Sequence, residues 1–165
     1  MPDQLLQWVE LGSEPGVAPG PLERVRALLN TDDRFHGTDH LADGPAGLVA
    51  FRDALRRYLT AGDAAGLDAL AAAHPLVVAF GAGAATLEPA GADAVVAGLL
   101  ADVHRAHAAG EWSRLKACAN PDCQWIYYDS SRNRSGRWCS MNECGEVMKA
   151  RAYRRRARTG APTGT

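Results

Sequence analysis

Along this chain apolar positions recur mostly at the spacing of a helix. Leu22, Val25, Leu28 and Leu29 predict a short amphipathic helix over residues 21–30, opened by Pro21 and left at Asn30 and Thr31. Over residues 47–60 a second stripe, Leu48, Phe51, Leu55, Tyr58 and Leu59, lies opposite Arg52, Asp53, Arg56 and Arg57. Val95, Val96, Leu99, Leu100 and Val103 mark a third helix between Ala92 and Ala109, with Gly110 as its cap. Residues 63–73 are Ala-rich and predict a shorter helix, stopped at His74-Pro75.

The rest of the chain follows other rules. Residues 31–47 are rich in Asp, Gly and turn formers and read as a structured loop. From Leu76 to Gly91 the chain is β-branched at its start and has Gly81 and Gly83 in its middle, which predicts a β-hairpin. Trp125 to Tyr128 reads as a strand, Asp129 to Gly136 as a polar loop, and the residues up to Trp138 as a return strand. A last helix follows Cys144. The expected architecture is therefore mainly α (α+β). Residues 1–110 form a helical domain with a small β-hairpin, whose stripes at Leu48 to Leu59 and Val95 to Val103 can pack on each other. Residues 111–159 form a second unit, docked without a linker, and residues 160–165, only Gly, Ala, Pro and Thr, predict a disordered tail.

Charge sharpens this division. The 165 residues carry a net charge of -1, but residues 1–110 hold 7 Arg against 14 Asp/Glu, a net -7, and residues 111–165 hold 11 Lys/Arg against 5 Asp/Glu, a net +6. A basic end on an acidic body suits a phosphate-bearing partner. With 47% apolar residues the chain can bury a core. No run approaches the roughly 18 to 20 apolar residues that span a bilayer. The first ten residues carry two acids and no base, unlike a signal peptide, so the cytoplasm is the expected location, with no membrane partner.

All four cysteines lie in the basic unit, as Cys118-x4-Cys123 and Cys139-x4-Cys144 separated by fifteen residues. Two close pairs, each on a tight turn and joined by a short span, are what a tetrahedral four-thiolate site requires. Asn120-Pro121-Asp122 supplies the first turn. The fourth ligand falls at a helix N-terminus, where the dipole favours thiolate. One structural zinc per chain is expected, in a treble-clef-like finger with a closed shell and hence no catalytic role.

Basic residues surround this site. Arg151, Arg154, Arg155 and Arg158 share one face of the last helix, with Lys149 and Arg156 off that face, and Arg132, Arg134 and Arg137 line the preceding loop. Their spacing fits a phosphate-binding surface, with double-stranded DNA as the expected partner and a homodimer as an assembly the sequence permits.

The segment from Cys118 to Arg158 resembles the CGNR zinc finger found at the C-terminus of bacterial proteins taken to be stress-induced transcription regulators. The resemblance covers the four cysteines, Trp125, Tyr127, Asp129, Ser131, Arg132, Trp138, Met141, Lys149, Tyr153 and Arg154. It implies an N-terminal, mostly helical domain of the ABATE type, which Asn30-Thr31 and Arg52 to Arg56 (RDALR) resemble in outline. One departure stands out: the motif Cys-Gly-Asn-Arg reads Cys144-Gly145-Glu146-Val147, placing an anion and an aliphatic group where the family has an amide and a cation. Glu146 would repel phosphate, so weaker DNA binding is expected.

In the body, the resemblance implies sensing of a small-molecule effector or stress, and Asn30, His36, Asp39, His40 and Arg52 are the residues to examine. His36, Asp39 and His40 could also bind a metal, though local hydrogen bonding is the commoner use of such loop residues, and His104 and His107 lack a third ligand. Gly81-Ala-Gly-Ala84 lacks the third glycine of a dinucleotide loop and reads as a turn. No nucleophile elbow, phosphate loop or metalloprotease helix is present, so no enzymatic activity is expected.

Overall fold

The computed structural model describes residues 17–159. The expected tail at 160–165 and the first sixteen residues lie outside them. In chain order the elements are α1 (Leu22–Asn30), a two-residue ladder of β1 (Asp32–Asp33) and β2 (Thr38–Asp39), α2 (Ala46–Ala61), α3 (Ala65–Ala73), the hairpin β3 (Leu76–Gly81) and β4 (Ala84–Pro89), and α4 (Ala94–Ala108). A 3-10 turn (Trp112–Arg114), β5 (Leu115–Ala117), β6 (Ile126–Tyr128), a π-helical turn (Met141–Gly145) and α5 (Glu146–Thr159) complete the described residues. The three strand pairs are antiparallel and separate.

Local signals set most of these boundaries. Gly62, at φ 71°, ends α2 in the left-handed region that glycine adopts without strain. Asp93 caps α4 by accepting from the Val96 N–H, and Gly110, at φ 70°, turns the chain out of that helix. Trp112 then stacks on His107 with ring centroids 4.8 Å apart, beside Tyr58, fixing the start of the finger against α2 and α4.

Helix α1 sits in the centre of the molecule. It packs on α2 and α4, and every residue but Arg24 is buried, so it is surrounded where an amphipathic helix would have a solvated face. The core joins Val25, Leu28 and Leu29 of α1 to Phe51 and Leu55 of α2, Leu67 of α3, and Val96, Leu99 and Val103 of α4. Leu115 of β5 and Ile126 of β6 belong to that same cluster. The apolar core thus continues past residue 110 into the finger.

Three expectations change. Arg52 and Arg56 are only 3% and 5% exposed, although they face away from the apolar stripe of α2. Hydrogen bonds to Asp39, Asp53 and main-chain carbonyls offset their desolvation. Val95 is exposed, because α4 turns Val96 and Leu99 inward and leaves the preceding position at the rim. No return strand forms before Trp138: β6 pairs instead with β5 upstream, Leu115 opposite Tyr128, and residues 129–138 stay irregular. Asp129 holds that segment as a loop, as described below.

Candidate metal centre and the basic surface beside it

Each cysteine pair is held by its own turn. In the first, the Asn120 carbonyl accepts from the N–H of Cys123 (2.9 Å) and Gln124 (3.1 Å), while its side-chain oxygen accepts from Asp122 N–H (3.2 Å). Gln124 adopts a left-handed φ of 52°, and Cys118 N–H donates to the Trp125 carbonyl at 2.8 Å, closing the knuckle. In the second, Ser140 accepts from Glu143 N–H through its side chain and from Gly145 N–H through its carbonyl. The intervening π-helical turn delivers Cys144 to the N-terminus of α5.

These turns bring the four sulfurs within 4.8 Å of one another. Cys139 Sγ lies 3.7 Å from both Cys123 Sγ and Cys144 Sγ. Zn–S bonds of about 2.3 Å at tetrahedral angles require S···S edges of about 3.8 Å. The donor set and the spacing therefore fit one zinc ion. Trp125, Tyr127 and Trp138 pack around the cluster, three of the four thiols are buried, and the Asn120 side-chain amide donates to Cys144 Sγ at 3.4 Å. That last contact is the outer-shell support a ligating sulfur takes, and the sequence had offered Asn120 only as a turn former.

Charge leads to the same conclusion. A hydrogen bond from Cys139 holds the Cys123 thiol down at about 6 against the opposing effect of burial. With that sulfur ionised, Cys139 is pushed up by its hydrogen bond to Cys123 and by burial, and Cys144 by burial first, to about 11. Burial and the neighbouring sulfurs thus oppose a second bare thiolate at Cys139 and Cys144. A divalent cation removes the repulsion, which makes the cluster a site that metal completes.

Beside it lies the loop 129–137, organised by a buried carboxylate. Asp129 accepts from Lys116 Nζ (2.6 Å), Ser131 N–H (3.0 Å) and Gly136 N–H (2.8 Å). Burial works to raise its pKa, but these donors prevail and hold it well below the usual carboxylate range. A Cβ on Gly136 would meet that carboxyl at 2.9 Å, so the approach requires glycine. Arg132 and Arg134 stand exposed on the loop, and Arg137 lies over the Trp138 ring at 5.2 Å. Helix α5 buries none of its residues. Arg151, Arg154, Arg155 and Arg158 line one open groove along it, as the helical spacing predicts, with Thr159. Arg151 also pairs with Asp122 at 2.6 Å, and Lys149 with Glu146 at 2.7 Å, so part of this charge is already compensated.

The residues picked out in the body are engaged in structure. Asn30 is fully buried, and its amide both donates to the Ile126 carbonyl and accepts from the Ile126 N–H, each at 2.8 Å. Arg52 grips Asp39, also bonds Asp53 and Thr31, and holds Asp39 below its ordinary pKa. His36, exposed, reaches Asp33 at 2.7 Å, and His40 donates its main-chain N–H to the Thr31 carbonyl. Arg56, opposite the apolar stripe of α2, bonds the carbonyls of Leu29, Asp32 and Gln124. Burial depresses its pKa to about 10. Asn30, Arg56 and Arg26, whose guanidinium also approaches the Ile126 carbonyl, thus fasten the body to the strand and knuckle of the finger.

Among the described residues no helix is long and apolar enough to cross a membrane. A family model described as the CGNR zinc finger matches residues 114–157, which include all four cysteines. No curated protein matches the chain.

Proposed function

Residues 114–157 being a CGNR zinc finger, we propose that this protein is a DNA-binding transcription regulator whose zinc is structural. One observation carries the reading: α5 leaves the metal centre with no residue buried and presents Arg151, Arg154, Arg155 and Arg158 on one face. A helix that buries no residue in its own chain, yet concentrates guanidinium groups, is suited to a phosphate backbone. Arg132, Arg134 and Arg137 on the loop beside the site, and Lys149, extend the basic surface. Zinc supplies the frame that fixes loop and helix; it has no open position for chemistry, and the protein acts by binding, in the cytoplasm, not as an enzyme.

The body is the regulatory half in this reading, an ABATE-like domain answering a small molecule or stress. Arg56 supports the transmission of such a signal because it bonds Asp32 of the loop at residues 31–43 and Gln124 of the finger, while Arg52 holds Asp39 in that loop and Asn30 holds Ile126 in the finger. A second reading, a protein-interaction module, draws on Met141, Val147 and Tyr153, three large exposed apolar or aromatic side chains in the turn before α5 and along it.

Salt dependence of binding to duplex DNA separates the two. Three to five phosphate contacts would give a slope of log affinity on log salt of roughly -3 to -4.5. Arg154→Ala with Arg155→Ala should flatten it by about one to two units while zinc stays at one per chain. DNA binding that ignores salt, or none at all, would leave the interaction module standing.

A further inference from the structure

The hairpin β3–β4 contributes no residue to the apolar core cluster. Its turn, Ala82 at φ 47° and Gly83 at φ 80°, is the two-residue type with both φ positive. Phe80 is 85% exposed, Val78 55% and Val77 50%. Strand β4 lies against α4, so β3 forms the outer edge. In the register Val77↔Glu88, Ala79↔Thr86, Gly81↔Ala84, the residues flanking a two-residue turn are hydrogen-bonded, and Ala90 N–H bonds the Pro75 carbonyl in the same phase. The odd positions of β3 therefore address β4. Leu76, Val78 and Phe80 direct their N–H and C=O groups outward, and no main-chain bond among the described residues uses them.

We propose that this edge is a homodimer interface, in which β3 pairs antiparallel with β3 of a second copy about a twofold axis. The register is self-complementary: centring the axis on Val78 sets Val78 against Val78 and Leu76 against Phe80 of the other copy. The outward positions then form about six main-chain hydrogen bonds. All these side chains lie on one face, so each exposed Phe80 covers the half-buried Leu76 at the base of the other hairpin. Charge favours a second copy over other partners. Residues 76–89 carry only Glu88, on a chain whose remaining surface is acidic in the body and basic in the finger. A charged partner finds nothing to pair with there, and two such edges meet without repulsion. An unpaired apolar edge is also what proteins otherwise blunt with Lys or Pro, and β3 has neither. At 85% exposure, and with roughly 200 Å² per phenylalanine, the two Phe80 rings contribute on the order of 300 Å². With the valines and backbone added, the contact falls near 1,000 Å², at the small end of specific interfaces.

Sedimentation velocity of the zinc-loaded full chain tests this. A reversible dimer with a dissociation constant on the order of 10 µM is expected, as suits so small an interface. Phe80→Asp removes a side chain the monomer does not bury, so the fold is kept, and the constant should rise at least tenfold with zinc content unchanged. Val78→Pro, which deletes an outward N–H and spares the bonds to β4, should do the same. Protection of the Leu76, Val78 and Phe80 amides from hydrogen exchange should grow with protein concentration. A monomer up to about 500 µM, some fifty times that constant, overturns the proposal. So does a dimer indifferent to Phe80→Asp, or amide protection that is independent of concentration, which would mean the same chain covers the edge.

Discussion

Arg52 and Arg56 on α2 stand at the same helical spacing as Arg151 and Arg155 on α5, and the structure puts the two pairs to opposite uses. The first pair is buried, its guanidinium groups answered by Asp39, Asp53 and main-chain carbonyls. The second is exposed on a helix that buries none of its residues, with Arg151 reaching Asp122 at the surface and Arg155 open to solvent. Spacing determines which residues share a face; only the surroundings determine whether that face is wet. The body has an apolar core deep enough to bury cations where carbonyls meet them. The finger has four sulfurs and a few aromatic rings, too little to hold a fold without a metal, and its charge stays outside.

Metal removal tests this contrast with the largest expected effect. Structural zinc contributes about 10–16 kcal/mol in finger peptides at neutral pH, as much as or more than the whole stability of a small domain. Chelation under reducing conditions should release one zinc per chain and unfold residues 118–158. Most of the helical circular dichroism, which comes from α1 to α4, should survive. A body that collapses with the finger would show that the two depend equally on the metal.

Cutting the chain at Gly110 asks the converse question. The body then loses Leu115 and Ile126 from its core, each worth about 1.5–3 kcal/mol, and leaves Asn30 without its main-chain partners. A loss of about 5 kcal/mol corresponds to a melting temperature at least about 20 °C below that of the full chain. The fragment should remain helical when cold. Melting unchanged by the cut would show that the core shared with the finger carries little weight.

The two arginine pairs can be compared directly. Arg56→Ala leaves the carbonyls of Leu29, Asp32 and Gln124 without their donor and should destabilise by about 3 kcal/mol. Arg155→Ala, on the exposed helix, should change stability by less than about 0.5 kcal/mol and act on DNA affinity alone. Denaturant midpoints of the two variants measure the difference.

Much of this was legible in the chain. The helices, the β3–β4 hairpin and the four thiols came from periodicity, paired glycines and spacing, because each is a local signal. What stayed hidden was long-range. Nothing near Asn30 announces that its amide meets Ile126, ninety-six residues on. Nor does the run Trp125 to Tyr128 say that its partner lies upstream at Leu115 to Ala117. The return strand failed for a findable reason: Asp129 and Gly136 make a closed carboxylate-centred loop, and an Asp–Gly pair with Lys116 upstream is a faint sign of it.

The smallest expected effect lies where the finger departs from the Cys-Gly-Asn-Arg motif it resembles. Glu146 opens α5 beside the metal centre and pairs with Lys149 at 2.7 Å, so it contributes an anion and also occupies a cation of the basic surface. Val147 next to it is exposed and makes no core contact that a longer side chain would disturb. Restoring the motif with Glu146→Asn and Val147→Arg therefore removes one repulsion, frees Lys149 and adds one guanidinium, at some loss of the favourable interaction between a first-turn carboxylate and the helix dipole. DNA affinity at moderate salt should rise by about tenfold, some 1.4 kcal/mol, and the salt slope should steepen by about one to two units. Zinc content and melting should barely move. If the restored chain binds DNA and the natural one does not, the exposed arginines of α5 are insufficient on their own. If neither binds, the contrast between buried and displayed arginines stands, but the displayed ones face a partner other than nucleic acid.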